Sequence, residues 1–216
     1  MVLEIIFNCL TVAVEFLLSA ILLFKWIRVK IKFYSDLPFL FGVSILFIGF
    51  STLLNLIYSI TFFIQEITIF QVRGVLICIT AVTMFLGVLK IWLPENYKLL
   101  IAGSLIYTIS FLTILFISAS PAQIVTYTSP FIAINILLVV TTFSVVYVKH
   151  RLPLINSPLI ISGALVILIS QLLKAFSFNL GVLLIPDLVS IVGWSLFTLG
   201  FLLKAPYFRA QSQISL

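Results

Sequence analysis

The amino-acid sequence predicts an all-α membrane protein built as a bundle of seven transmembrane helices. Hydrophobic residues make up 63% of the 216-residue chain and charged residues 8%, against about 45–50% and about 25% in a typical soluble domain. The apolar residues occur in seven continuous runs, each near the roughly 20 residues that a helix needs to cross the hydrocarbon core. Because these runs do not alternate with polar residues, they exclude a transmembrane β-barrel.

Proline residues help to place the ends of the predicted helices. Pro94 follows the third run, and Pro121 falls in the connection after the fourth. Pro130, Pro153 and Pro186 fall in the first turns of the fifth, sixth and seventh helices, where proline is tolerated. The connections are short, so successive helices should be antiparallel neighbours. The predicted spans, within a single domain of residues 1–216, are 3–24, 37–63, 69–93, 99–118, 128–148, 153–174 and 183–204.

The basic residues predict the orientation in the membrane. With the N-terminus outside and the C-terminus in the cytoplasm, ten of the twelve lysines and arginines fall on the cytoplasmic side, leaving Arg73 and Lys174 on the other. We therefore expect a multi-pass protein of the cell membrane. The net charge of +6 is then a topology signal, and the short loops offer no basic surface for nucleic acid. The expected partner is the lipid bilayer, with a second membrane protein or another copy of the chain as further candidates.

Polar residues inside the spans form stripes at helical spacing. Serine, threonine and glycine in these stripes are expected to serve helix packing, whereas amides and charges are harder to bury and point to a site. Six of them map to the outer half of the bilayer, which favours a cavity open to the outside. Glu15 and Trp194 lie near the middle of the first and seventh helices. The predicted ligand- or substrate-binding residues are Asn8, Glu15, Asn55, Arg73, Asn135, Lys174, Asp187 and Trp194.

Structural roles for these residues stay open. Arg73, Lys174 and Asp187 could reach the outer interface or form an ion pair. Glu15 could be a neutral carboxyl bonded to a neighbouring helix, and Trp194 could be core packing. The functional alternatives for Glu15 are a proton carrier, an ion ligand or a counter-charge to a cationic substrate.

The rare chemistries are limited by composition. The chain has one histidine, His150, and two cysteines, Cys9 and Cys78, which are too few for a bis-histidine haem, a zinc tetrad or an iron–sulfur cluster. No glycine-rich phosphate-binding loop is present. We therefore expect no catalytic residues, no metal and no cofactor, and an enzyme is the weakest of the functional alternatives.

Two resemblances bear on the fold. An outside N-terminus, seven helices, Arg73 near the outer end of the third and Asp187 on the seventh resemble microbial rhodopsins. That family binds retinal through a lysine one turn after the aspartate, and here the position is Ile191, so retinal is not expected. The layout of sugar transporters with three, one and three helices is similar in length and orientation, but its Pro-Gln motif is absent.

A weak internal repeat would relate helices 1–3 to helices 5–7 as parallel repeats joined by the fourth helix, which is one of the known transporter layouts. Leu86-Gly87 in the third helix matches Leu199-Gly200 in the seventh. In the second helix, Ser44, Ser51, Leu53, Leu54 and Asn55 align without gaps with Gly163, Ser170, Leu172, Leu173 and Lys174 of the sixth.

The leading hypothesis for function is a small transporter or ion-coupled carrier with an outward-biased polar cavity. A sensor or receptor bundle that signals through a partner is one alternative. A non-catalytic subunit of a larger membrane complex is another.

Overall fold

The computed structural model describes residues 2–29, 36–61, 65–152, 154–177 and 184–204, and this part of the chain contains seven α-helices and no strand. All seven are long and apolar enough to cross a membrane, which confirms a helical multi-pass membrane protein. The helices are α1 (Val2–Ile27), α2 (Leu37–Thr61), α3 (Glu66–Trp92), α4 (Tyr97–Ile117), α5 (Pro121–Val148), α6 (Ser157–Ser177) and α7 (Leu184–Leu202).

The predicted start of α5 is wrong by two turns. Pro121 does not lie in the connection but begins the helix, at a position where no backbone N–H is needed. The Ser120 hydroxyl accepts a hydrogen bond from the Gln123 N–H, and the Gln123 side chain accepts one from the Ala119 N–H. This reciprocal cap fixes the helix start. Pro130 therefore lies in the helix interior and not in its first turn.

The predicted start of α6 is also too early. The helix begins at Ser157, where the Asn156 side chain accepts a hydrogen bond from the Leu159 N–H. Pro153 lies outside the described residues. Pro186 does fall in the first turn of α7, as predicted. Polar capping side chains, which the apolar runs do not report, therefore decide where these helices start.

The bundle is a ring in which each helix packs against the next and α1 packs against α7. α3 also contacts α5, while α4 packs on the outside against α3 and α5. Hydrogen bonds show that α2 and α3 are antiparallel, as are α6 and α7. Arg73 at the start of α3 bonds Asn55 near the end of α2, and Ser170 late in α6 donates to the Pro186 carbonyl at the start of α7. The ring has two ends. The first helix begins at the N-terminal end, and Lys25, Lys90 and Lys149 lie at the other, which we call the basic end.

The half of the bundle toward the basic end is filled by aromatic side chains. Phe41, Phe143, Phe197 and Phe201 come from α2, α5 and α7 and are all fully buried. Their ring centroids lie 5.1–6.3 Å apart, within the range of favourable aromatic contacts. The Lys25 ammonium donates to the Phe201 carbonyl and ties α1 to α7 at this end. We call these four rings the phenylalanine plug.

Candidate functional site

A cavity of about 220 Å³ occupies the half of the bundle toward the N-terminal end. It is larger than an engineered apolar cavity of about 150 Å³ that binds benzene, and smaller than the roughly 300–1,000 Å³ of pockets for drug-sized ligands. Its size therefore suits a small solute. The apolar part of its wall includes Ile48, Phe70, Ile77, Met84, Phe111 and Ile136.

Trp194 contributes to this wall from the middle of α7. Only 2% of the residue is exposed, and its ring meets Phe197 of the phenylalanine plug edge to face, with centroids 5.7 Å apart. The indole thus stands between the cavity and the plug. It belongs both to the packed core and to the cavity surface, so the two alternatives that the sequence left open for it are compatible.

Arg73 places a guanidinium on the cavity wall from the third turn of α3. Its Nη1 donates to the Asn55 side-chain oxygen at 2.7 Å, and the group lies 5.4 Å from the centre of the Phe70 ring. Its Nε is buried and has no hydrogen-bond partner among the described residues. In that part of the chain Arg73 also forms no ion pair. The guanidinium is thus held by neutral groups and keeps a buried donor free.

Lys174 and Asp187 form an ion pair across the α6–α7 interface, with 2.8 Å between Nζ and Oδ1. Both line the cavity, and their side chains are 35% and 19% exposed. The structural alternative of an ion pair is therefore realised for these two residues. At this exposure the pair is expected to contribute only about 0–1 kcal/mol, but it does neutralise two of the charges on the cavity wall.

Asn135 lies deeper, on α5, and is 2% exposed. Its amide nitrogen donates to the Ala81 carbonyl of α3 at 2.6 Å, which ties these two parallel helices together. Its side-chain oxygen is buried and unpartnered among the described residues. A buried acceptor without a donor is unfavourable by about 1–3 kcal/mol, so this oxygen is available to a solute or a water molecule.

Glu15 is 2% exposed and does not line the cavity. It packs where α1 meets α2, against Gly49, and its carboxyl lies next to Thr52, which does line the cavity. Its Oε2 is buried and has no hydrogen-bond partner in the described part of the chain. Glu15 therefore sits one side chain behind the cavity wall.

The structure thus brings seven of the eight predicted residues to one cavity and leaves Glu15 behind it. Asn8 joins the set from α1. Whether these residues bind a ligand stays a prediction. Seven further polar residues line the cavity but do not belong to the predicted binding set. Four of them belong to the predicted polar stripes and three do not: Ser51, Thr80, Thr128 and Ser190, and then Thr52, Ser129 and Gln171. Thr52 and Gln171 lie three residues before Asn55 and Lys174, a spacing that places both members of each pair on one helix face.

Other stripe residues have the packing role that was expected of them. Thr80 donates to the Ser44 carbonyl of α2 at 3.0 Å, and Ser44 returns a bond to the Thr80 carbonyl. Thr128 donates to the carbonyl of Ile124 one turn earlier in its own helix. Their hydroxyls are thus used by the protein, although Thr80 and Thr128 also touch the cavity.

Within the described residues, no group of three or more His, Cys, Asp or Glu side chains is arranged to hold a metal ion. No protein family, curated protein or solved structure matches this chain. The described residues form a multi-pass helical bundle. Polar and apolar side chains line a cavity in one half of the bundle, and buried phenylalanine side chains pack together in the other half.

Proposed function

We propose that the protein is a small solute carrier of the cell membrane, and that its cavity receives the solute from outside the cell. The observation that carries the proposal is the division of the bundle into two halves. A cavity with polar groups from six helices fills one half, and the phenylalanine plug closes the other. A cavity in one half of the bundle, separated from the other side of the membrane by a packed core, is what a carrier presents in one of its two access states.

The distribution of basic residues supports an outward-facing cavity. Lys25, Arg28, Lys90, Lys149 and Arg151 lie at the end opposite the cavity. Basic residues collect on the cytoplasmic side of membrane proteins, which favours an orientation with the N-terminus and the cavity on the outside.

Contacts between helices support a repeat that relates helices 1–3 to helices 5–7. A Cβ on Gly87 of α3 would meet Phe41 of α2, and one on Gly200 of α7 would meet Ile160 of α6. The alignment that matches Gly87 with Gly200 and Ser44 with Gly163 also pairs Phe41 with Ile160. α1 packs on α2 and α7, while α5 packs on α6 and α3. The first helix of each repeat therefore contacts the second helix of its own repeat and the third helix of the other. Two repeats around a central site suit alternating access.

Glu15 supports coupling of the solute to a proton. A bare carboxylate at this depth in the membrane is very unfavourable, whereas a neutral carboxyl is tolerable. The charges of Lys174, Asp187 and Arg73 all act on Glu15. A change of charge in the cavity therefore reaches this carboxyl, which is what coupling requires.

Thiol labelling from each side of the membrane tests the proposal without knowledge of the solute. Met84 lines the cavity, and Val88 lies one turn further toward the basic end, 2% exposed and outside the cavity wall. Each is replaced by cysteine in a background that carries Cys9→Ser and Cys78→Ala. In sealed vesicles, an impermeant maleimide should label Met84→Cys from the cavity side.

If the protein is a carrier, Val88→Cys should also be labelled slowly from the basic end, because the phenylalanine plug must open during each transport cycle. A receptor or a static subunit shares the one-sided cavity but keeps the plug closed. If Val88→Cys stays unlabelled from the basic end while Met84→Cys reacts from the cavity side, the carrier is refuted.

A further inference from the structure

We propose that the solute bound in this cavity is a small organic monocarboxylate, an anion with an apolar body. The inference rests on the proposed function only in taking the same cavity as the binding site, because binding can be measured where no transport occurs. Three features of the cavity carry it: its charge, its free hydrogen-bond donor and its apolar wall.

The charge of the cavity wall favours an anion. Among the residues that line it, the formally charged groups are Arg73, Lys174 and Asp187. Lys174 and Asp187 pair with each other at 2.8 Å, so one positive charge is left. Asp187 and Glu15 also act on Arg73 from a distance, but Asp187 is paired with Lys174, and Glu15 adds no negative charge while its carboxyl is neutral.

The hydrogen bonds of Arg73 favour a carboxylate. Its contact with Asn55 uses one donor on a neutral acceptor, and its buried Nε has no partner in the described residues. A guanidinium presents several N–H donors in a planar fork and binds a carboxylate through two parallel hydrogen bonds. An incoming carboxylate would satisfy the free donor and neutralise the charge together.

The remainder of the wall favours an apolar body of limited size. Ile77, Met84, Ile136 and Trp194 lie on the cavity surface toward the middle of the bundle. With about 220 Å³ available, the cavity has room for a ring or a short branched chain, since about 150 Å³ suffices for benzene. The anionic group would then lie at the N-terminal end and the apolar body next to the indole.

Calorimetric titration of the full chain in lipid nanodiscs at neutral pH tests the inference with three probes of similar shape. Benzoate carries the proposed charge, benzamide is its neutral counterpart, and benzylammonium carries the opposite charge. We expect benzoate to bind at least about tenfold more tightly than benzamide, because hydrogen bonds to charged groups are the stronger ones. Benzylammonium should not bind. Equal binding of benzoate and benzamide, tighter binding of benzylammonium, or no binding of benzoate overturns the inference.

Variants locate the anion. Arg73→Gln should weaken benzoate binding by roughly 10- to 100-fold. Lys90→Gln removes one positive charge from the other end of the same helix, where Lys90 bonds the Pro94 carbonyl, and should change binding by less than about twofold. If Arg73→Gln does not fold, the three probes on the unmodified chain still decide the matter. Equal loss in both variants would mean that the anion binds elsewhere.

The two proposals fail separately. If benzoate binds and Val88→Cys is never labelled from the basic end, the monocarboxylate site stands and the carrier falls. If Val88→Cys is labelled and benzoate binds no better than benzamide, the carrier stands and the anion is refuted.

Discussion

Replacement of Gly163 by alanine tests how closely α6 and α7 are packed. A Cβ on Gly163 would lie 2.5 Å from the Phe197 nitrogen and 2.7 Å from the Gly193 carbonyl oxygen. Both are backbone atoms, so no side chain can rotate away. Restoring ordinary contact requires the helices to separate by about 1 Å, and such overpacking costs about 1–3 kcal/mol. Alanine regains about 0.5–1 kcal/mol of helix propensity, so the midpoints of these two ranges leave a net loss of about 1.3 kcal/mol.

Gly103→Ala on α4 is the matched control. Its added Cβ would meet only the Leu89 and Phe85 side chains, at 3.5 and 3.8 Å, which are ordinary contacts. We therefore expect this variant to be neutral or slightly stabilised. Gly163→Ala and Gly103→Ala thus make the same chemical change in a helix interior. In the first variant the added Cβ clashes with the backbone of a neighbouring helix, and in the second it does not.

The assay follows the exposure of Cys78, which is 3% exposed in the folded protein. A thiol-reactive dye reports its release on heating in detergent, in a background in which Cys9 is replaced by serine. We expect Gly163→Ala to lower the apparent Tm by roughly 3–5 °C, while Gly103→Ala leaves it unchanged or raises it. A Gly163→Ala protein as stable as Gly103→Ala would refute the close approach of α6 and α7.

Three further predictions concern single interactions. Glu15→Gln keeps the size of the side chain and should alter the free energy of unfolding by less than about 1 kcal/mol. A pH gradient that drives solute exchange in vesicles of the parent protein should nevertheless fail to drive it in vesicles of this variant. An unchanged response to the gradient would contradict proton coupling. Trp92 donates to the Thr142 hydroxyl at 2.9 Å, so a double-mutant cycle of Trp92→Phe and Thr142→Val should give a coupling of about 0.5–1.5 kcal/mol in unfolding measurements, and zero coupling would remove this α3–α5 bond. A cycle of Lys174→Met and Asp187→Leu should give about 0.2–1 kcal/mol that falls as salt is added; coupling that is indifferent to salt would contradict an ion pair.

The fold was largely predictable because seven long apolar runs leave few alternatives to seven helices. Helix starts were less predictable where proline and polar caps compete. Pro121 suggests a break, yet Ser120 and Gln123 together make it the first residue of α5. The predicted span begins only at residue 128 because the first two turns of α5 carry polar side chains, Gln123 and Thr126, that interrupt the apolar run.

The candidate site was predictable in depth but not in rotation about the helix axis. Sequence position tells how far along α1 Asn8 and Glu15 lie, and their spacing puts both on one face. It does not tell that the wall of the cavity ends at Thr52, which leaves Glu15 behind it. The pairing of Lys174 with Asp187 likewise depends on the register between α6 and α7, which the close approach at Gly163 and Gly193 sets.

In the proposed transport cycle the phenylalanine plug opens and connects the cavity to the basic end. The rate at which Val88→Cys reacts from the basic end measures this opening most directly. Lys149→Cys, at an exposed position just beyond the end of α5, supplies the rate for a freely accessible thiol. We expect the thiol of Val88→Cys to react more slowly than the reference thiol, but to react completely while the protein stays folded. A thiol in Val88→Cys that remains unreacted until the protein unfolds would contradict opening of the phenylalanine plug.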